Sequence, residues 1–251
     1  MSGRPDLLLA VLHWIEYLGL LGAIGSIVVR RLARNRPSIH WAQPPMHLAL
    51  GTAFVSGAIL ITVQGLYAGT LPGWVQLARV AAEGAAFVFC LRGIAFVAPA
   101  AALAAALLPF AGHAAAADPP AGAEFADALH VLSAAMWAGG ILALATLRPP
   151  GGWQGPEARA LLERFAGVAL VAFAVTALTG VLRATEQLHA LSDLWTTTYG
   201  IVLALKSAGV GVMLVLSLAW RRGLPVARFE AGVAALVVGA TAILASFPNP
   251  E

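Results

Sequence analysis

The chain has 251 residues, of which 60% are hydrophobic and only 11% charged, and its mean hydropathy is +0.83. That composition excludes a water-soluble domain of this length and makes the protein an integral membrane protein. The formal charge of +3 and the pI of about 9.6 come from arginines clustered between apolar runs. This is membrane topology and not a phosphate-tracking stripe, so nucleic acid is excluded as a partner. A single cysteine, Cys90, leaves no disulfide framework and no CxxC motif, so metal chemistry would fall to His, Asp, Glu or Met.

Apolar runs of about 20 residues predict an all-α, polytopic membrane helix bundle with eight transmembrane helices in one integral membrane domain. In chain order they are Leu7–Val29, Pro45–Tyr67, Trp74–Leu91, Ile94–His113, Ala126–Leu147, Phe165–Leu182, Thr196–Trp220 and Phe229–Phe247. The first is too long for a signal-peptide core and precedes a basic cluster, so it is expected to be retained. The fourth carries Pro99 and Pro109 and is alanine-rich, which favours a kinked or partly re-entrant segment.

Arginine placement predicts the orientation. Arg30, Arg31, Arg34 and Arg36 follow span 1, and Arg92 follows span 3; Arg148, Arg159 and Arg164 lie between spans 5 and 6, and Arg221, Arg222 and Arg228 between spans 7 and 8. Those loops should be cytoplasmic and both termini extracytoplasmic, in a bacterial inner membrane facing the periplasm. The opposite loops hold Asp118, Glu124, Asp127, Glu186, His189 and Asp193, with Arg183 and the N-terminal Arg4 as basic exceptions. Trp14, Trp74, Trp153, Trp195 and Trp220 fall near span ends, as interface belts do.

A weak internal repeat at an offset of 117 residues aligns His13 with His130, Gly22 with Gly139, Arg31 with Arg148 and Thr62 with Thr179. It predicts a 4+4 parallel repeat, residues 1–113 and 114–251, related by an axis along the membrane normal.

Ionisable groups inside hydrocarbon are costly and are read as functional. His13, His113 and His130 sit near the outward ends of their spans. His13 and Glu16 are three residues apart, as are Asp127 and His130, so each pair shares a helix face and can act as a two-point ligand set. Together His13, Glu16, His113, Asp127 and His130 are expected to converge as a metal site. Imidazoles with carboxylates suit Cu(II), Zn(II) or Fe better than a purely soft Cu(I) site. Met136, deeper on span 5, offers a softer step. Lys206, the sole lysine, lies roughly 15 Å into span 7 at 1.5 Å per residue. It needs an anionic partner or a water-filled cavity, and Glu16 or Glu83 is expected to neutralise it. His40 and His47 have no histidine partner at their depth. No GxSxG, P-loop or GxGxxG occurs in the required strand–helix context, which speaks for a transporter over an enzyme.

From about Ala111 onward, one series of short signatures stands in order: His113, Asp127-x-x-His130, Trp137, Gly139–Gly140, Arg164–Phe165, Thr179–Gly180, Thr198–Tyr199–Gly200, Lys206, Arg221, Glu230 and Pro248. In this the chain resembles the copper resistance protein D (CopD) family of inner-membrane proteins; spans 1 to 4 match in layout more than in motif. The resemblance implies an eight-span copper transport protein carrying copper ion from periplasm towards cytoplasm, supplied by a periplasmic copper-donor protein. It implies His113, Asp127 and His130 as metal contacts and Lys206 as a motif residue. With only 4 methionines the chain is not methionine-rich, a departure from a Cu(I) path. The alternative from a different class is a haem-b membrane redox protein with His13, His113 or His130 as axial ligands, since helix bundles hold haem between facing histidines. A third reading is an accessory subunit without a site.

Overall fold

The computed structural model describes residues 6–64, 71–111, 120–188, 190–222 and 226–247. Among them the helices are α1 (Leu7–Ala33), α2 (Met46–Gln64), α3 (Leu71–Arg92), α4 (Val97–Leu107), α5 (Pro120–Ala145), α6 (Pro156–Gln187), the one-turn α7 (Asp193–Thr196), α8 (Thr198–Arg221) and α9 (Ala227–Ala245). The architecture is an all-α polytopic bundle. Seven helices are long and apolar enough to cross a membrane, and each corresponds to a predicted span.

The fourth predicted span is shorter than expected. It is an 11-residue helix that continues into a 3-10 turn, Leu108–Ala111, where Pro109 cannot supply the amide an α-helix needs. Span 6 is longer than expected. Pro156 takes the first helical position, Glu157 complements the dipole in the first turn, and the helix runs 32 residues, absorbing Arg159 and Arg164 from the predicted loop. Helix α1 begins on Asp6, whose side chain accepts from the amides of Leu8 (2.9 Å) and Leu9 (3.1 Å), and ends with Arg30 and Arg31 in its last turn.

Helices α1 and α5 form the centre, packed against each other. Their neighbours are matched: α1 packs on α2 as α5 packs on α6, α3 on α4 as α8 on α9, and α1 on α9 as α5 on α4. The match is incomplete, because the α2–α3 contact has no counterpart of similar extent between α6 and α8. The α1–α5 crossing is made of glycine. A Cβ on Gly25 would strike the backbone of Gly139, and one on Gly139 the carbonyl of Leu21. In a bilayer, where helix association gains little from apolar burial, such close backbone approach supplies the packing.

The arginine-rich end is clamped by backbone carbonyls. Arg164 donates to the carbonyls of Leu32, Asn35 and Pro37 at 3.0–3.2 Å, and Arg30 to that of Pro44 at 2.7 Å. Trp153 stacks edgewise on Trp41 and Trp220 there. Trp74 and Trp195 are exposed near the opposite end, as expected of interface residues.

Candidate functional site

Two polar clusters lie towards the end of the bundle where α1, α3, α5 and α8 begin and α2, α6 and α9 finish. The amide of Asp6 donates to the carbonyl of Ser246, and Tyr199 packs edgewise on Phe247, which ties the starts of α1 and α8 to the end of α9.

The first cluster belongs to α1, α2 and α3. Two turns into α1, His13 lies on the wall of a cleft of about 320 Å³ that Asp6, Gln64 and Ser246 share. Its Nδ1 is 3.5 Å from Glu16 Oε2, and its Nε2 is 3.5 Å from the Gln64 amide. Glu16 is fully buried and held by the fork of Arg79: Nη1 donates to Oε2 at 3.1 Å, and Nη2 lies 3.1 Å from Oε1. Glu83, also fully buried, follows Arg79 by one helical turn and lies within hydrogen-bond reach of Glu16. Gly57 of α2 makes room for both. A Cβ there would sit 2.6 Å from Glu83 Oε2 and 2.9 Å from Glu16 Oε1.

The second cluster belongs to α5, α6 and α8. His130 Nδ1 lies 3.0 Å from the Thr176 carbonyl and 3.1 Å from Thr179 Oγ1. A carbonyl only accepts, so Nδ1 carries the proton. Thr179 fits this assignment, because its own hydroxyl proton is given to the Val175 carbonyl at 2.7 Å. The Nε2 lone pair is thereby left as the donor face, the arrangement in which metal-binding imidazoles are held. Ser133, one turn deeper, bonds Thr176 Oγ1 at 2.7 Å. Asp127 pairs with Arg183 of α6 at 2.6 Å. Lys206 interacts electrostatically with Asp127 and His130.

The expected single convergence is therefore divided. His13 and Glu16 turn towards α2 and α3, while Asp127 and His130 turn towards α6; His113 lies outside the described residues. Among the described residues, no three His, Cys, Asp or Glu side chains are placed to hold a metal ion as they stand. The expected partner of Lys206 is corrected as well. Glu16 is taken by Arg79, Glu83 is beside Glu16, and the carboxylate that acts on Lys206 is Asp127, because α8 packs on α9 and away from α3. Met136 packs into apolar core shared by both halves.

Sequence reasoning missed Arg79. An arginine inside an apolar helix, four residues before a glutamate, carries the same signal as Lys206. The two cations also correspond in place: Arg79 follows Gly73 by six residues on α3, and Lys206 follows Gly200 by six on α8. Each half thus brings a histidine from its first helix and a cation from its third to the same end of the bundle.

A bundle of apolar helices with histidines, carboxylates and paired cations near one end defines a multi-pass membrane protein with an intramembrane polar site. Residues 159–244 match the family model described as copper resistance protein D, CopD. It is also similar to copper transport protein CutJ of Bacillus subtilis (strain 168), with 36% identity over 110 residues, 43% of this chain. The match spans 20% of that relative's length. No solved structure matches the chain.

Proposed function

We propose that the chain is a copper transport protein of a bacterial inner membrane, with both termini and the histidine end of the bundle facing outward. The observation that carries this reading is His130, whose Nδ1–H is tied to Thr176 and whose Nε2 is left as a donor beside the CopD-matched segment. His13, Glu16 and Asp127 are candidate contacts at the same end, with His113 in the connection between α4 and α5. Copper delivered by a separate extracytoplasmic donor enters there and passes inward along buried polar groups, with Glu16 and Glu83 on the first-half side and Lys206 and Met136 on the other. The CopD match and the likeness to a copper transport protein support copper as the cargo. Neither supports the haem b alternative.

Purified protein in nanodiscs, loaded with copper and washed, tests the reading by elemental analysis and an optical spectrum. Retained copper that falls in His130→Ala, without a Soret band, is the expected result. A strong Soret band, or copper retention equal in both proteins, overturns it.

A further inference from the structure

Helix α6 packs on α5 and helix α8 on α9, but α6 and α8 make no extended contact with each other, whereas α2 and α3 of the first half do. Helix α8 is left the least covered of the seven long helices, with 6% of its apolar stretch buried against 28% for α3. The two are neighbours all the same. Near the histidine end Arg183 of α6 and Lys206 of α8 both act on Asp127, and at the arginine-rich end both helices wall one cleft. Between those ends the bundle is open along a fissure.

The cleft at its arginine-rich mouth measures about 380 Å³ and is walled by Arg159, Leu162 and Glu163 of α6, by Trp220 and Arg222 at the end of α8, and by Trp153. Arg159 donates to Gln154 Oε1 at 2.8 Å. Among the described residues neither Arg159 nor Arg222 pairs with a carboxylate, and Glu163 is exposed and pairs with no cation. The indole N–H of Trp220, a residue only 6% exposed, has no acceptor either. The lining is thus rich in donors, and two guanidiniums against one carboxylate leave it one positive charge.

Depth narrows what can answer that charge. The apolar span of α8 ends at Trp220 and that of α6 begins at Pro156, so the cleft lies where hydrocarbon gives way to headgroups, the level that tryptophans occupy. On the membrane side of it, both helices expose apolar side chains: Leu170 and Val171 on α6, Val215 and Leu218 on α8.

We propose that this cleft binds the phosphate of an anionic phospholipid, whose acyl chain lies in the fissure between α6 and α8. The phosphate brings acceptors and a negative charge to two guanidiniums that have no carboxylate, in a basic pocket between transmembrane helices. The acyl chain fills the place that helix packing fills between α2 and α3. A helix of a second copy would cover the fissure but leave the arginines unpaired, and a free phosphate would meet the arginines but leave the fissure open. A lipid answers both.

Native mass spectrometry of protein released from nanodiscs of equal phosphatidylglycerol and phosphatidylcholine reads the bound lipid directly. Phosphatidylglycerol is expected to be retained in preference to phosphatidylcholine. Arg159→Gln and Arg222→Gln should each lower its retention by about fivefold, and the double variant by about thirtyfold. Arg34→Gln removes an exposed arginine from the same end but outside the cleft, and should leave retention unchanged. All three arginines are exposed, so none of these variants endangers folding. An equal loss in Arg34→Gln would mean a diffuse attraction of anionic lipid to the basic end and overturns the site, as does full retention in the double variant. Free glycerol phosphate that competes the lipid away would reduce the site to a phosphate cleft, and a dimer that retains no lipid would give the fissure to a second copy. Either result overturns the proposal.

Discussion

Gly25 of α1 and Gly139 of α5 meet backbone to backbone at the centre of the bundle, with no room for even a methyl group on either. Their helices carry His13 and His130, so the spacing between the two clusters depends on this crossing. Gly139→Ala places a Cβ against the Leu21 carbonyl, an atom that cannot rotate away. The helices must part, at a cost of about 1–3 kcal/mol. Unfolding by titrated SDS should show that loss for Gly139→Ala. Gly167→Ala, where no atom lies near the added methyl, should leave stability unchanged.

The hydrogen bond from His130 Nδ1 to the Thr176 carbonyl cannot be removed by a side-chain change, but Thr179 can be altered. Thr179→Val keeps the volume and deletes the second acceptor, which loosens the imidazole without moving a helix. Copper affinity is expected to fall by about 10-fold, the low end for loss of a group that orients a ligand. Thr179→Ser restores the acceptor and should recover most of it. A 15N spectrum of histidine-labelled protein reads the tautomer without copper, and a protonated Nε2 on His130 would refute the assignment.

Much of the fold was legible because apolar length is a property of contiguous segments. The seven long helices fall where the runs predict. What the sequence could not show was azimuth. His13 and His130 both lie towards the end where α1 and α5 begin, but helix depth says nothing about which neighbour a side chain faces. One turns to Gln64 and the other to Thr176. Arg79 was hidden for a different reason: it sits in a span otherwise read for hydropathy, and its partner Glu16 is 63 residues earlier. Asp127 shares a helix face with His130, and what the spacing could not show is that its carboxylate pairs with Arg183, distant in sequence.

Arg79 holds buried Glu16 and lies one helical turn from buried Glu83, an arrangement with a consequence for stability. Glu16→Gln alone should cost little, because the guanidinium can turn to Glu83. Glu83→Gln alone should also cost little, because Glu16 retains Arg79. The double variant strands a buried arginine and should cost about 3–5 kcal/mol, far more than the singles combined. SDS unfolding of the three proteins measures the coupling directly, and simple additivity would show that Glu83 never receives the charge.

Orientation yields the last prediction. Asn35 is exposed at the end where Arg164 grips the α1–α2 connection, and Ser192 is exposed at the end that carries the histidines. Positive charge is retained on the cytoplasmic side, so Asn35 should be inside and Ser192 outside. In a Cys90→Ala background, Asn35→Cys should resist a membrane-impermeant maleimide in intact cells and react once the membrane is opened. Ser192→Cys should react from outside at once. The reversed pattern would turn the histidine clusters towards the cytoplasm, and the same polar groups would then have to collect copper from the inside, making the chain a candidate for export.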